Sequence, residues 1–335
     1  MANPPARTFS YRSGVRVRGT VLACDATAGG DLIFLSHALA LDTQAARLLP
    51  RPRAGRRQIL TTETTLALLG PAGARLRSQA LSPAYGRPFA LGGMRLELFP
   101  SGHLPGAASL LCEVEGRRII YSAPVGAGTE PGQLRTAGAL CVDGQLAQPR
   151  FQFPPYQQAL DDIVGQVRAA ADTGRAPVVL ARPLGPALDV AARLIAAGLA
   201  VRAQRPVIAA AASYKTAGLP VPALARFAGK LAPGEALLAT PEDRDAGQLR
   251  ALGNAFTLLA AASAVDRDVV ERLHVDAAVP LSAVAGFPDL LAYIEATGAS
   301  EVAVRRAPDA QLVETLAARR IDAYPVGPPQ QIALF

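Results

Sequence analysis

The sequence predicts an α/β protein built in two parts. From residue 15 to about residue 143, the chain consists mostly of short strand-like segments and glycine-centred hairpins. From about residue 156 onward, buried strand-like runs alternate with segments of helical spacing, which is typical of parallel strands joined by helices. A length of 335 residues also favours two domains, or one domain with a large insertion.

The first part of the chain predicts strands separated by turns. Apolar or alternating segments predict strands over residues 15–24, 31–35 and 58–60. Gly29-Gly30 predicts the turn before the second of these strands. Residues 42–49 have helical spacing, and either Thr61 or Thr62 is placed to cap a helix after the third strand.

Two hairpins follow, each turning at glycine: residues 89–99 around Gly92-Gly93 and residues 108–121 around Gly116. Helical spacing then predicts helices over residues 156–171, 186–197, 287–297 and 309–319. Apolar runs predict strands over residues 177–181, 199–202, 233–240, 255–261, 300–305 and 321–325. The second part therefore predicts a parallel sheet with crossover helices.

Composition favours a reduced, cytoplasmic protein with a sizeable core. Half of the residues are apolar, yet no run of about 18 apolar residues is free of charge or proline, which argues against a membrane span. The first twelve residues lack the apolar centre of a signal peptide. Cys24, Cys112 and Cys141 are odd in number, far apart and without zinc-binding spacing, so we expect them in the core.

The positive charge has two interpretations. The formal net charge is +7, and all but two of the 34 basic residues are arginine. A biased genomic composition would produce such a surface without any function. A phosphate-binding surface would also produce it, because guanidinium groups bind phosphate with two parallel hydrogen bonds. The densest basic cluster consists of Arg47, Arg51, Arg53, Arg56 and Arg57.

The turn after the predicted strand over residues 31–35 carries a motif. It reads Ser-His-Ala-Leu-Ala-Leu-Asp from Ser36 to Asp42. This stretch resembles the metal-binding turn Ser-His-x-His-x-Asp-His of the metallo-β-lactamase superfamily. His37 matches the first histidine, whereas Leu39 and Leu41 replace the second histidine and the aspartate. Asp42 stands at the last histidine.

The resemblance extends over essentially the whole chain and is closest to the β-CASP nucleases, especially the bacterial exonuclease-like branch associated with ligases and helicases. Further matching runs are Ser101–Ala107, Arg150–Pro155, Pro280–Ser282 and Leu290–Ala299. The resemblance implies a metallo-β-lactamase αββα sandwich with an inserted Rossmann-like β-CASP domain. The lactamase-like domain would comprise residues 1–150 and 280–335, and the β-CASP-like domain residues 151–279.

Most metal ligands of that family are absent. His103 matches the lone histidine after the hairpin, and Asp143 matches the acidic residue that opens the β-CASP pattern. Pro124 replaces the metal-bridging aspartate, and Arg306 stands at the final histidine. Asp25 matches the aspartate that orients a histidine ligand from behind. Residues 282–287 resemble Ser-Asp-His-Ala-Asp-Phe without the three metal-binding side chains.

A two-metal phosphodiesterase needs several nitrogen or oxygen ligands on each ion, and a chain with three histidines cannot supply them. The candidate catalytic and metal-binding remnant is His37, Asp42, His103 and Asp143. This set could hold at most one weakly bound divalent ion, and its oxygen ligands favour Mn²⁺ over Zn²⁺. His274 lies outside the family pattern, so we expect an ordinary histidine there.

Three hypotheses remain open on the sequence. The favoured one is a nucleic-acid-binding pseudonuclease that contacts DNA or RNA through Arg306 and the cluster Arg47–Arg57. It would work with an active nuclease, ligase or helicase and not at a membrane. The second is an atypical Mn²⁺-dependent nuclease that uses the remnant site, so enzymatic activity is undecided. The third is a purely structural subunit. Arg306 could bind phosphate, pair with Asp143 or remain solvated.

Overall fold

The chain folds as two units. The computed structural model describes residues 7–28, 30–40, 58–122, 124–127, 134–244 and 246–328. The first unit combines Met1–Pro149 with Val284–Phe335, and the second is Arg150–Ala283. The family resemblance implies an inserted domain over residues 151–279, and the second unit ends four residues after that range. The predicted helix over 42–49 and the cluster Arg47–Arg57 lie outside the described residues.

The described part of residues 7–149 is rich in strands. The strands are β1 (Phe9–Tyr11), β2 (Val15–Val17), β3 (Leu22–Cys24), β4 (Leu32–Phe34), β5 (Gln58–Leu60), β6 (Ala80–Leu81), β7 (Phe89–Leu91), β8 (Met94–Pro100), β9 (Ala108–Val114), β10 (Arg117–Tyr121) and β11 (Ala139–Asp143). The helices are α1 (Glu63–Leu68) and α2 (Pro71–Leu76).

The rest of the chain alternates strands and helices. The strands are β12 (Ala176–Ala181), β13 (Ala200–Ala203), β14 (Leu224–Arg226), β15 (Glu235–Ala239), β16 (Ala255–Ala260), β17 (Ala277–Val279), β18 (Glu301–Arg305) and β19 (Asp322–Pro325). The helices are α3 (Tyr156–Asp172), α4 (Pro186–Ala196), α5 (Arg205–Thr216), α6 (Gly247–Arg250), α7 (Arg267–Leu273), α8 (Phe287–Thr297) and α9 (Gln311–Ala318).

The first unit contains two mixed sheets. One has the order β1-β2-β3-β4-β5-β6, and the other has the order β19-β18-β11-β10-β9-β8-β7. Strands β3, β4, β5 and β6 are parallel to one another, and so are β10, β11, β18 and β19 in the second sheet. Because parallel strands share a direction, their carboxyl ends meet along one edge of each sheet.

The two sheets of the first unit pack face to face. Their shared core includes Phe9 and Phe34 from the first sheet, and Leu96 and Tyr121 from the second. The outer face of the second sheet packs against α8 and α9. The outer face of the first sheet packs against α1 and α2. The layer order is therefore helix, sheet, sheet, helix.

The predicted strand over residues 15–24 is wrong in one respect. The chain breaks it into β2 and β3, since Gly19 adopts a positive φ of 79° and allows a turn between them. Of the two threonines predicted to cap a helix, Thr62 is the one that caps α1, because its hydroxyl accepts a hydrogen bond from the Thr65 amide. The three cysteines are free and buried in the first unit.

The second unit contains one fully parallel sheet with the order β14-β13-β15-β12-β16-β17. Its central strands are apolar and buried along most of their length, as in β12 and β15. Helices α3 to α7 lie between these strands in the chain or precede them, which matches the alternation that the sequence predicts. Within the described residues, we find no helix with the length and apolarity that crossing a bilayer requires.

Helix α1 docks on the loop between β8 and β9 through the Gly106 carbonyl. This oxygen accepts hydrogen bonds from the Thr62 hydroxyl at 2.7 Å and from the Thr65 hydroxyl at 2.8 Å. Gly106 has a φ of 77°, and a Cβ atom there would lie 2.6 Å from the Thr64 Cβ. Only glycine fits this close approach without a shift of the helix.

We expect Gly106→Ala to destabilise the protein by roughly 2–5 kcal/mol, since a left-handed backbone and overpacking against α1 both contribute. The matched control is Gly116→Ala in the β9–β10 turn, where φ is 74° and no atom lies within 4 Å of the added carbon. The free energy of unfolding of that control should fall only by the backbone contribution, about 1–2 kcal/mol. Urea unfolding followed by circular dichroism measures both, and equal losses would contradict the close-approach argument.

Candidate functional site

The polar residues of the first unit converge where parallel strands of both sheets end. Asp25 directly follows β3, and His37 lies three residues after β4. In the second sheet, the last residues of β10, β11 and β18 are Tyr121, Asp143 and Arg305. Strand ends of this kind are where α/β proteins commonly place their functional side chains.

The Asp25 carboxylate is the centre of this arrangement, and it is fully surrounded by donors. Oδ1 accepts the Ser36 amide at 2.8 Å, and Oδ2 accepts the Ser36 hydroxyl at 2.7 Å. The Tyr121 hydroxyl and Arg305 Nη1 each donate to Oδ2 at 2.7 Å. Arg305 Nη1 also donates to the Tyr121 oxygen. The Asp25 network thus joins the first sheet to the second.

Asp25 is ionised in spite of its burial. Burial alone would raise the pKa of this carboxyl, but the Arg305 guanidinium, the adjacent His37 and the Ser36 hydrogen bonds together hold its pKa below the ordinary value. The backbone of Asp25 is left-handed, with a φ of 46°, which is uncommon for a residue with a side chain. In this conformation the side chain accepts four hydrogen bonds.

The Asp25 network also sets the tautomer of His37. The Ser36 hydroxyl gives its single proton to ionised Asp25, so it can only accept from His37 Nδ1, which lies 2.8 Å away. Nδ1 therefore carries the imidazole proton, and Nε2 is the unprotonated nitrogen. Burial lowers the pKa of His37 from 6.5 to about 4, so the ring is neutral at pH 7.

His103 lies beside His37. It is carried by the loop between β8 and β9, which turns at Gly102 and Gly106, both with positive φ. The two imidazole rings are 5.2 Å apart between centroids and meet edge to face at 76°. The structure thus brings together the two histidines that the sequence selected 66 positions apart.

Asp143 is paired with Arg306. Arg306 Nε donates to Asp143 Oδ2 at 2.7 Å, and Arg306 Nη2 donates to the same oxygen. The other oxygen accepts the Gln145 amide at 3.1 Å. The Asp143 side chain is 2% exposed and the Arg306 side chain 40% exposed. Of the three roles that the sequence leaves open for Arg306, the structure displays the ion pair.

Sequence reasoning did not identify Arg305, and it gave no role to Ser36 or Tyr121. Arg305 neutralises Asp25 from the other sheet, and Tyr121 completes the Asp25 network. The available signal was two consecutive arginines at the end of a predicted strand. The remnant residue Asp42 and the basic residues of the predicted surface, Arg47, Arg51, Arg53, Arg56 and Arg57, lie outside the described residues.

The potential metal ligands among the described residues do not fit a dinuclear metal centre. Both Asp25 oxygens and both Asp143 oxygens already accept hydrogen bonds, and an arginine neutralises each carboxylate. His37 Nδ1 is bonded to Ser36. Within the described ranges, no group of three or more histidine, cysteine, aspartate or glutamate side chains is placed to hold a metal ion. The single weak site that includes Asp42 stays a prediction.

Comparisons with known proteins give a distant relationship. No known family profile matches this chain. A probable DNA ligase of Opitutus terrae is 25% identical over 242 residues, which are 71% of this chain and 24% of the ligase. The chain therefore spans about a quarter of the length of the curated relative it matches.

A solved structure shares the fold. The crystal structure of a protein of unknown function from Enterococcus faecalis V583 superposes with a TM-score of 0.52 at 14% identity. The superposition covers 82% of this chain and 74% of that chain. At this identity the likeness concerns the mixed α/β fold alone.

We expect the stability of the first unit to fall as the pH drops from about 6.5 to about 4. In this window the unfolded chain binds a proton at His37 that the folded chain does not, so the loss should reach about 3 kcal/mol. The groups around the ring are His103, the carboxylates of Asp25 and Asp143, and the arginines paired with them. Urea unfolding at a series of pH values measures the loss.

The variant His37→Asn should flatten this pH dependence, because it removes the titrating ring and keeps a donor towards Ser36. The matched control is His274→Asn, at an exposed histidine of the second unit, which should retain the wild-type acid loss. If wild type and His37→Asn respond to pH in the same way, His37 does not titrate as the structure indicates.

Proposed function

We propose that this chain is a nucleic-acid-binding protein of the β-CASP and metallo-β-lactamase fold that acts in DNA or RNA processing without the two-metal chemistry of that family. The observation that carries the proposal is the neutralisation of two buried carboxylates by arginines at the strand ends of the first unit. The family resemblance puts metal ligands at this place. Guanidinium groups supply the positive charge there instead.

The nucleic-acid part of the proposal has two supports. The first is the distant similarity to a probable DNA ligase, which favours a role in DNA processing. The second is the formal net charge of +7, carried almost entirely by arginine. Arginine suits phosphate better than lysine does, because its planar group donates two parallel hydrogen bonds. Few aromatic residues are available for base stacking, so contacts would go mainly to the backbone phosphates.

The proposed partners follow from the same similarity. A chain that binds nucleic acid without cleaving it would deliver or retain a substrate for an active nuclease, ligase or helicase. The alternative, an Mn²⁺-dependent nuclease that uses His37, Asp42, His103 and Asp143, has no support from the described donors, because Arg306 already neutralises Asp143.

We expect binding to labelled single- and double-stranded DNA that weakens steeply with salt, since each phosphate contact releases condensed counterions. A plot of log affinity against log salt should have a slope of several units. The triple variant Arg53→Ala, Arg56→Ala, Arg57→Ala should flatten the slope by about one unit for each arginine that contacts phosphate. Fluorescence anisotropy over a salt series measures this, with RNA in a parallel series.

The matched control removes the same charge from the second unit. Arg205, Arg267 and Arg272 are exposed, and their triple alanine variant changes the net charge equally. It should retain most of the wild-type slope if the cluster Arg47–Arg57 contacts nucleic acid. Equal effects of both triple variants would point to charge alone. Wild-type affinity that does not change with salt would refute the proposal.

We expect the purified protein to carry less than one equivalent of zinc, and any cleavage to require Mn²⁺ together with His37 and His103. Elemental analysis gives the metal content. Wild type and the double variant His37→Ala, His103→Ala are then compared on labelled DNA and RNA with Mn²⁺, Mg²⁺ and Zn²⁺. A wild type that binds but never cleaves supports the non-catalytic function. Cleavage by wild type and not by the double variant would establish the nuclease alternative.

A further inference from the structure

We propose that Arg306, oriented by Asp143, is a metal-independent receptor for a phosphate group of a nucleic-acid strand. The nucleic-acid part of this inference rests on the proposed function. The geometry of the ion pair, the backbone conformation of Arg306 and the charge balance around it support the receptor itself. In this assignment Arg306 binds the ligand, and Asp143 is a positioning residue.

The ion pair occupies only one edge of the Arg306 guanidinium. Nε and Nη2 both donate to a single oxygen of Asp143. Nη1 donates no hydrogen bond within the described part of the chain, and the Arg306 side chain is 40% exposed. The edge formed by Nη1 and the second Nη2 proton therefore has no hydrogen-bond acceptor among the described residues. Two parallel N–H groups on one edge match two oxygens of a phosphate group.

The position of Arg306 is fixed before any ligand arrives. Its backbone is left-handed, with a φ of 54°, which is uncommon for a residue with a side chain. The chain before it is held by the Gly144 amide, which donates to the Arg305 carbonyl at 2.7 Å. Asp143, 2% exposed, then holds the side chain. A donor that is already oriented loses little conformational entropy when a ligand binds.

The charge around Arg306 is balanced, so an incoming anion does not meet an uncompensated carboxylate. Asp25 is paired with Arg305, and Asp143 is paired with Arg306. A divalent ion would need the carboxylates that the arginines already hold. A phosphate group needs only the open edge of the guanidinium.

The test measures binding of a short single-stranded DNA with either a 5′-phosphate or a 5′-hydroxyl, in excess EDTA. Arg306→Gln keeps a polar side chain but loses both the charge and the paired donors. It should weaken binding about ten-fold or more, which is the scale of a charge-assisted hydrogen-bonded contact. Arg87→Gln, at an exposed arginine of the same unit, is the control of equal charge and should change binding little.

Two further variants separate ligand binding from structural effects. Arg306→Lys retains the charge beside Asp143 and should retain folding, yet lose several-fold in affinity because a lysine cannot donate two parallel hydrogen bonds. Asp143→Asn should weaken binding less than Arg306→Gln does. Adding Asp143→Asn to Arg306→Gln should weaken binding no further. Thermal melting followed by circular dichroism reports the folding of each protein.

The outcomes are distinct. If Arg306→Gln loses only the preference for the 5′-phosphate, the receptor binds a strand end. If Arg306→Gln loses affinity equally for both oligonucleotides, the receptor binds an internal phosphate. Binding by Arg306→Gln equal to that of Arg87→Gln, or wild-type binding that disappears in EDTA, overturns the inference. Titration with inorganic pyrophosphate separates the two proposals: if wild type binds pyrophosphate through Arg306 but binds neither oligonucleotide, the nucleic-acid function fails and the receptor stands.

Discussion

The hydrogen bonds and the ion pair of the Asp25 carboxylate are the interactions on which the first unit depends. This carboxylate lies at the end of a strand of one sheet, and it accepts hydrogen bonds from Tyr121 and Arg305 of the other. The shared core of the two sheets is mostly apolar, and apolar side chains attract one another without fixing a register. A buried charge with directional partners does fix one. At the edge strand β1, Thr8 and Phe9 also donate hydrogen bonds to Glu301 and Tyr324 of the second sheet. The Asp25 carboxylate orients Ser36 and, through it, His37.

The arginines explain how this centre tolerates two buried carboxylates. A buried carboxylate that loses its counter-charge destabilises a protein by about 3–5 kcal/mol. Asp25 and Asp143 avoid this cost because each is paired with an arginine. Arginine suits this role because it stays protonated even when buried.

Local signals allowed most elements to be predicted from the sequence. Helix α8 has the bounds that its helical spacing predicts, and the β9–β10 hairpin turns at Gly116 as its glycine predicts. The break at Gly19 was missed because a single glycine inside an alternating run does not reveal its φ.

The site was predicted less completely, for a physical reason. His37, His103 and Asp143 could be selected because the family motif marks them one at a time. The roles of Arg305 and Tyr121 depend on which strands lie side by side and in what register, and that information is spread over the whole chain. The Arg306 pairing illustrates the limit, since the sequence offered three roles and only the position of Asp143 in space distinguishes them.

The insertion of the second unit has a consequence for the order in which the chain folds. Asp25 and its partner Arg305 are 280 residues apart, and Asp143 and Arg306 are 163 residues apart. During synthesis, both carboxylates exist long before either guanidinium is made, and β18 is added to the second sheet last but one. The second unit, whose strands pair over shorter separations, is complete before that moment. Until β18 is synthesised, Asp25 and Asp143 lack the arginines that pair with them in the native fold, and β11 lacks one of its two neighbours in the second sheet.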